Sequence, residues 1–237
     1  MSLPEFQLLK GKPNVVGSFG SLSDLLNVDP TSLAGACDIA EIRLDLLADS
    51  EAGGPAPWTR LGRFPLLFTA RRKDEGGALD LDAAARAGML DPILDQAACI
   101  DIEVASIDLM GDILREITAR KIPWVASWHD FKKLPPTAVL EEAAARAREA
   151  GATVFKSAAR LDSPADLARL ADFQLMDHGI LVSTMGMGPL APVSRLLCAQ
   201  SGSVLNYGYL GETATAPGQW DSTLLKTAIE RLGPFPG

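Results

Sequence analysis

Many common sources of protein function are scarce in this chain. It has three cysteines in 237 residues, Cys37, Cys99 and Cys198, odd in number and far apart. A disulfide framework or zinc knuckle needs paired, closely spaced cysteines. Neither is expected, and each thiol, set among apolar or small residues, should be buried and free. No run of about 18 apolar residues occurs, so no membrane span is expected. The start, "MSLPEFQLLKGK", has no apolar core of signal-peptide length, which makes the cytoplasm the expected location. Basic residues are outnumbered, 22 Lys and Arg against 30 Asp and Glu, for a net charge of -8 and a pI near 4.8. With no Lys/Arg run, the footprint of a nucleic-acid binder is missing. "GSFG" at 17–20 is not the dinucleotide fingerprint G-x-G-x-x-G, and no Walker sequence appears. Only two histidines exist, His129 and His178; far apart, and with scattered cysteines, they indicate no metal site.

What is present is an ordinary globular composition, 47% hydrophobic and 22% charged, in a chain long enough to bury a core. Short β-rich runs recur: "NVVGS", "CDIAEIRL", "PLLFTA", "CIDIEV", "PWVASW", "TVFKS", "ILVST" and "VLNYG". Between most of them lie Ala/Leu/Arg/Glu-rich stretches, clearest in "LDAAARAGMLDPILDQ", "SIDLMGDILREITARK", "TAVLEEAAARAREA" and "SPADLARLADFQLMD". Asp82, Ser106 and Ser163 stand at expected N-caps, the last followed by Pro164, and Gly151 and Gly179 at expected helix ends. Strand then helix, eight times over, predicts a (β/α)8 TIM barrel, an all-parallel eight-stranded α/β fold, as one domain over residues 1–237. A doubly wound open sheet is the competing arrangement.

Side chains alternate faces along a strand, so parity sorts the polar residues. Glu41, Arg43 and Asp45 share one face of "EIRLD"; Thr69 and Arg71 share one in "FTAR". Cys99, Asp101 and Glu103 do the same in "CIDIE", as do Val125, Ser127 and His129 in "VASWHD". The ionisable groups gather toward the C-terminal ends of these strands, where barrel enzymes build active sites; a salt bridge plugging the barrel would look the same one strand at a time. His178, between a helix end and a strand, reads as a helix cap or a solvated side chain. His129, at a strand end among cations, reads as an acid/base candidate.

The stretch "GATVFKSAARL" puts Lys156 at the end of an apolar strand. Burying an ammonium is costly unless it is paired or its pKa falls. A structural pairing with Glu103 or Glu41 would account for it. So would chemistry: near arginines and in an apolar wall its pKa should drop, and a neutral amine attacks a ketone to give an imine. Arg43, Arg71 and Arg195 suit bidentate recognition of a carboxylate, which in an acidic protein points to a small anionic substrate.

At this point the chain resembles the type I 3-dehydroquinate dehydratases of the shikimate pathway. "EIRLD", "LLFTARRKDEGG", "SWHDF", "VFKSA", "VSRL" and "TAPGQ" carry the resemblance, in order and over nearly the whole chain. The resemblance implies Lys156 as the Schiff-base lysine, His129 as the general acid/base, and Glu75, in the element from Arg71 to Glu75, as the residue that orients that histidine. It implies contacts of Glu41, Arg43 and Arg71 with the hydroxyl side of the ring. Arg195, Gln219 and the loop hydroxyl, here Thr215, would hold the substrate carboxylate. It implies a lyase of aromatic amino acid biosynthesis that needs no cofactor and no metal, and it leaves room for a homodimer. Departures are Thr215 where serine is usual, and Ala191 followed by Pro192 where a second glycine is usual. The family's N-terminal strand pair would have to come from the short stretch "EFQLLKGK". Two other readings remain on residues alone: another imine-forming barrel lyase, such as a class I aldolase, and a non-catalytic sensor of a shikimate-pathway metabolite.

Overall fold

The computed structural model describes residues 6–47 and 55–233. Its eight described strands are β1 (Asn14–Phe19), β2 (Ile39–Arg43), β3 (Leu66–Thr69), β4 (Cys99–Glu103), β5 (Trp124–Asp130), β6 (Val154–Arg160), β7 (Leu181–Met187) and β8 (Leu205–Leu210). All pair in parallel, in the order β7-β6-β5-β4-β3-β2-β1-β8. That order, with β1 paired to both β2 and β8, excludes the doubly wound alternative. The barrel is nearly closed. At the last seam the Val204 amide donates to the Val182 carbonyl over 3.2 Å and the Ser183 hydroxyl to the Leu205 carbonyl, without a full ladder.

The helices are α1 (Leu22–Asn27), α2 (Leu33–Ala36), α3 (Leu44–Leu47), α4 (Ala83–Leu90), α5 (Gly111–Ala119), α6 (Thr137–Glu149), α7 (Pro164–Leu175), α8 (Ala191–Gln200) and α9 (Ser222–Ile229). Asp82 caps α4 by accepting from the Ala85 amide. Ser163 caps α7 in a full capping box with Asp166 and Pro164 behind it. Ser106 does not cap α5, which begins five residues later; it lies in a 3₁₀ turn, where its hydroxyl is held between Arg86 and Glu103. Gly151, at φ +81, ends α6 as expected, whereas Gly179 turns the chain beyond the end of α7. His178 caps α7: its Nε2 lies 2.8 Å from the Phe173 carbonyl and its ring stacks on Phe173.

Two apolar layers result from strand parity. Outward-facing Ile42, Phe68, Ile100, Ile102, Trp124 and Phe155 pack under the helices. Inward-facing Val16, Ile39, Leu67, Cys99, Val125, Val154 and Leu205 fill the lower barrel. Each fully buried large aliphatic or aromatic side chain contributes about 1.5–3 kcal/mol. All three cysteines are buried and free, with burial pushing the Cys37 thiol up to about 12. No strand forms between residues 6 and 13; Phe6 and Leu8 instead lie against the inward-facing layer. Glu5 is outside the described residues. None of the described helices is long and apolar enough to cross a membrane.

Candidate active site

Above the inward apolar layer the barrel interior turns polar. The next inward positions are Ser18, Glu41, Thr69, Asp101, Ser127, Lys156, Ser183 and Tyr207. Parallel register aligns Thr69 with Asp101 and Ser127 with Lys156, so neighbouring strands present these groups side by side. Lys156 is therefore not at a strand end. It is the third residue of a seven-residue strand, because β6 continues through Ala158 and Ala159 to Arg160.

Lys156 is 3% exposed. Its Nζ donates to Asp101 Oδ2 over 3.0 Å and sits 4.2 Å from the centre of the Tyr207 ring. The expected structural partners, Glu103 and Glu41, do not pair with it: Glu103 is held by Arg71 and Arg86, and Glu41 accepts from Ser18 and Thr69. Burial pulls the Lys156 ammonium down, Asp101 opposes, and the Arg71 cation adds to the fall, leaving its pKa below the ordinary value. Asp101 also faces Arg71 at 2.9 Å and accepts from Ser127 at 2.6 Å. Burial would raise this carboxyl, but the Arg71 and Lys156 cations hold it well below the usual carboxylate range.

His129 occupies the next inward level on β5. Its Nδ1 lies 2.9 Å from Glu75 Oε2, and its backbone amide donates to the same oxygen over 2.9 Å. Burial, then the Arg71 and Lys156 cations, lower the imidazole well below its ordinary value. Burial pushes the Glu75 carboxyl the other way, to about 7. A neutral imidazole whose Nδ1–H donates to Glu75 leaves Nε2 as a base. Glu75 ends the short 3₁₀ turn Lys73–Glu75, and Gly76, at φ +90, follows it. A Cβ at Gly76 would lie 2.7 Å from the Phe131 ring, so glycine lets that ring close over the turn.

The arginines differ in what they face. Arg71 is locked between Asp101 and Glu103; burial would lower its pKa, but those carboxylates hold it above its ordinary value. Arg43 makes a two-pronged pair with Asp45 at 2.8 and 2.7 Å and also reaches the Gly76 carbonyl. Asp45 is not on the β2 face, since α3 begins at Leu44; its other bonds come from the Arg71 and Ala78 amides, tying β2 to the loop that carries Glu75. Arg195, on α8, is fully buried and faces no carboxylate among the described residues. One guanidinium nitrogen donates to the Tyr207 carbonyl over 2.6 Å, its Nε has no partner, and burial lowers it to about 10. Thr215 donates from both its amide and its hydroxyl to Gln219 Oε1, at 2.8 and 2.9 Å. Ala191 is simply the first residue of α8, so that departure leaves the helix start intact.

One cavity of about 50 Å³ is lined by Glu41, Arg43, Arg71, Glu75, His129, Lys156, Arg195, Thr215 and Gln219 together. Every site residue expected from the sequence reaches it. Asp101 and the Tyr207 ring, both in contact with Lys156, and Phe131, in the cavity wall, have no role assigned from the sequence. Asp101 shares its face with Glu103, which is the signal that parity offered; Tyr207 and Phe131 carried none. A larger cleft of about 1030 Å³ opens at the opposite end of the barrel and contains neither Lys156 nor a histidine. Size is therefore no guide here, and the chemistry belongs to the smaller cavity. No group of three or more His, Cys, Asp or Glu is placed to hold a metal ion among the described residues.

The family described as type I 3-dehydroquinase matches residues 19–234. A 3-dehydroquinate dehydratase of Haloquadratum walsbyi is 32% identical over 217 residues, covering 86% of this chain and 88% of that protein. A catabolic 3-dehydroquinate dehydratase of Acinetobacter baylyi is 32% identical over 219 residues, covering 84% and 77%. The crystal structure of 3-dehydroquinate dehydratase from Geobacillus kaustophilus superposes with a TM-score of 0.80 at 24% identity, over 92% of this chain and 90% of that one. At that identity the likeness speaks for the barrel fold.

Proposed function

The chain belongs to the type I 3-dehydroquinase family and is a hydro-lyase, a 3-dehydroquinate dehydratase of the shikimate pathway, and we propose that it acts through a Schiff base on Lys156. The observation that carries this reading is the shared cavity of Lys156, with its lowered pKa, and His129 backed by Glu75. Lys156 Nζ adds to the substrate ketone, and the resulting carbinolamine loses water to give an iminium. The iminium withdraws electrons from the adjacent carbon, whose proton passes to His129 Nε2. The resulting enamine pushes its electron pair back through the ring and expels the hydroxyl, which leaves as water with the proton that His129 returns. Hydrolysis of the conjugated iminium consumes the water released at the first stage and frees Lys156 and 3-dehydroshikimate. The net change is loss of one water from the substrate.

Asp101 gives the iminium a counter-anion at the position where it already holds the ammonium. Arg195, without a carboxylate partner among the described residues, takes the substrate carboxylate, with Thr215 and Gln219 closing over it from the loop 211–219. Glu41, Arg43 and Arg71 face the hydroxyl side of the ring. The enzyme works without metal or cofactor, in the cytoplasm, in aromatic amino acid biosynthesis, and a homodimer is its proposed assembly.

The test is the ultraviolet appearance of the enone from 3-dehydroquinate. His129→Ala should lower turnover by about 100- to 10,000-fold while still forming the imine, since Lys156 supplies the nucleophile. A variant keeping more than about a tenth of wild-type turnover would remove His129 from the mechanism.

A further inference from the structure

Asp24 is a buried carboxylate that the chemistry above does not use. It is 7% exposed and makes no ion pair among the described residues. Half of its bonding is local. It lies in the first turn of α1, where its amide donates to the Ser21 hydroxyl over 3.0 Å and that hydroxyl donates to Asp24 Oδ2 over 2.8 Å. Oδ1 points elsewhere, accepting from the Glu212 amide over 2.9 Å, across 188 residues of sequence. Burial raises this carboxyl, but the bonds from Glu212, Ser21 and Thr213 overcome it and hold it below the usual range, so the acceptor is an anion at neutral pH.

The backbone around this bond is shaped for close approach. Gly211 has φ +83, and a Cβ there would collide with the Asp24 carboxyl group. A Cβ at Gly20 would likewise collide with the Thr213 carbonyl. Glycine at both positions brings the turn after β1 against the first residues of the loop that follows β8. The loop's far end is fixed differently: the Gly188 amide donates to the Pro217 carbonyl over 3.3 Å, and Gly218, at φ +74, packs on Ala191. Thr215 and Gln219 lie in and just beyond the span between these two anchors, and both reach the cavity that holds Lys156 and Arg195.

We propose that Asp24 is a positioning residue for substrate binding: its carboxylate latches the start of the 211–219 loop and so sets Thr215 and Gln219 over Arg195. Ordering a loop opposes binding through lost conformational freedom, and a latch made in the free enzyme removes part of that loss beforehand. The proposal rests on the reading of Thr215, Gln219 and Arg195 as the carboxylate site.

The experiment measures steady-state kinetics with 3-dehydroquinate and limited proteolysis within 211–219. Asp24→Ala should raise KM about ten-fold, change kcat far less, and speed cleavage of the loop in free enzyme. Asp24→Asn keeps an Oδ1 acceptor for the Glu212 amide and should bring KM back toward wild type. Ser21→Ala disturbs only the α1 side of Asp24 and should leave KM near wild type. Wild-type KM and loop cleavage in Asp24→Ala would overturn the proposal. So would Ser21→Ala reproducing the KM rise, which would assign Asp24 to capping alone. If Asp24→Ala does not fold, Gly211→Ala disturbs the same contact from the loop side; raised KM with faster loop cleavage supports the latch, and unchanged KM overturns it. Failure of the underlying site is separate: in wild type, ligand would then not suppress loop cleavage and borohydride would not label Lys156. With both wild-type results intact, a silent Asp24→Ala sinks only the latch.

Discussion

Two hydrogen bonds join Glu75 to His129, one from the ring and one from the backbone amide, yet burial shifts the two side chains in opposite directions, the carboxyl up to about 7 and the imidazole well down. This arrangement favours a neutral histidine ready to accept a proton, at a cost to the fold once Glu75 ionises. A carboxyl whose folded pKa lies above its unfolded value favours the native state below the unfolded value, about 4.3, and that contribution is lost as pH rises through the folded value. Glu75→Gln keeps an oxygen acceptor for His129 and removes the charge. Its stability relative to wild type should be near parity at pH 4 and should rise by up to about 3 kcal/mol by pH 8. Turnover should fall by about 10- to 100-fold. Chemical denaturation across pH 4–8 with parallel assays measures both. A stability difference that is flat with pH would place the Glu75 carboxyl at its ordinary value.

At the scale of elements, the site depends on strands that outrun their sequence signal. "TVFKS" and "ILVST" read as short runs, but β6 and β7 extend to Arg160 and Met187, because pairing with neighbours keeps Ala158, Ala159 and Gly186 extended where their own propensities would not. Strand length was therefore not legible: Lys156 reads as a strand-end residue and instead stands third of seven in β6. Partner choice was less legible still. The sequence offers Glu103 or Glu41 to Lys156 as a structural partner, and the register between β4, β5 and β6 selects Asp101 instead. Ser106 shows the converse error, a good capping residue whose hydroxyl is instead taken by Arg86 and Glu103. Helix α8 supplies the clearest test at this scale, since it brings Arg195 to the cavity with an Nε that has no partner among the described residues. Arg195→Lys replaces a two-pronged donor with a point charge. KM should rise by about ten-fold or more, with a smaller change in kcat. An unchanged KM would remove Arg195 from carboxylate recognition.

For the whole molecule, the barrel puts an apolar layer at its floor and a cross-linked ionic layer above it. Arg71, Asp101, Glu103 and Arg86 connect β3, β4 and α4 through buried bonds, so that the only described lysine in the barrel interior is set within a fixed field. The ordered recurrence of strand and helix made this architecture readable, and the strand-end polar residues made the pocket readable. The loop anchors at Asp24, Gly20 and Gly211 were not readable, since they bring together positions almost 190 residues apart in a chain whose local patterns carry no trace of the contact. The central claim is that this field exists to make Lys156 a nucleophile. Removing Lys156 still leaves Asp101 paired with Arg71, so Lys156→Ala should fold as a barrel. The most direct measurement is borohydride reduction during turnover of 3-dehydroquinate, followed by intact mass and peptide mapping. The enzyme should lose activity, gain the mass of one reduced ligand adduct, and carry it on Lys156, while Lys156→Ala should show neither label nor turnover. An adduct on another lysine, or no adduct from a turning-over enzyme, would contradict the account.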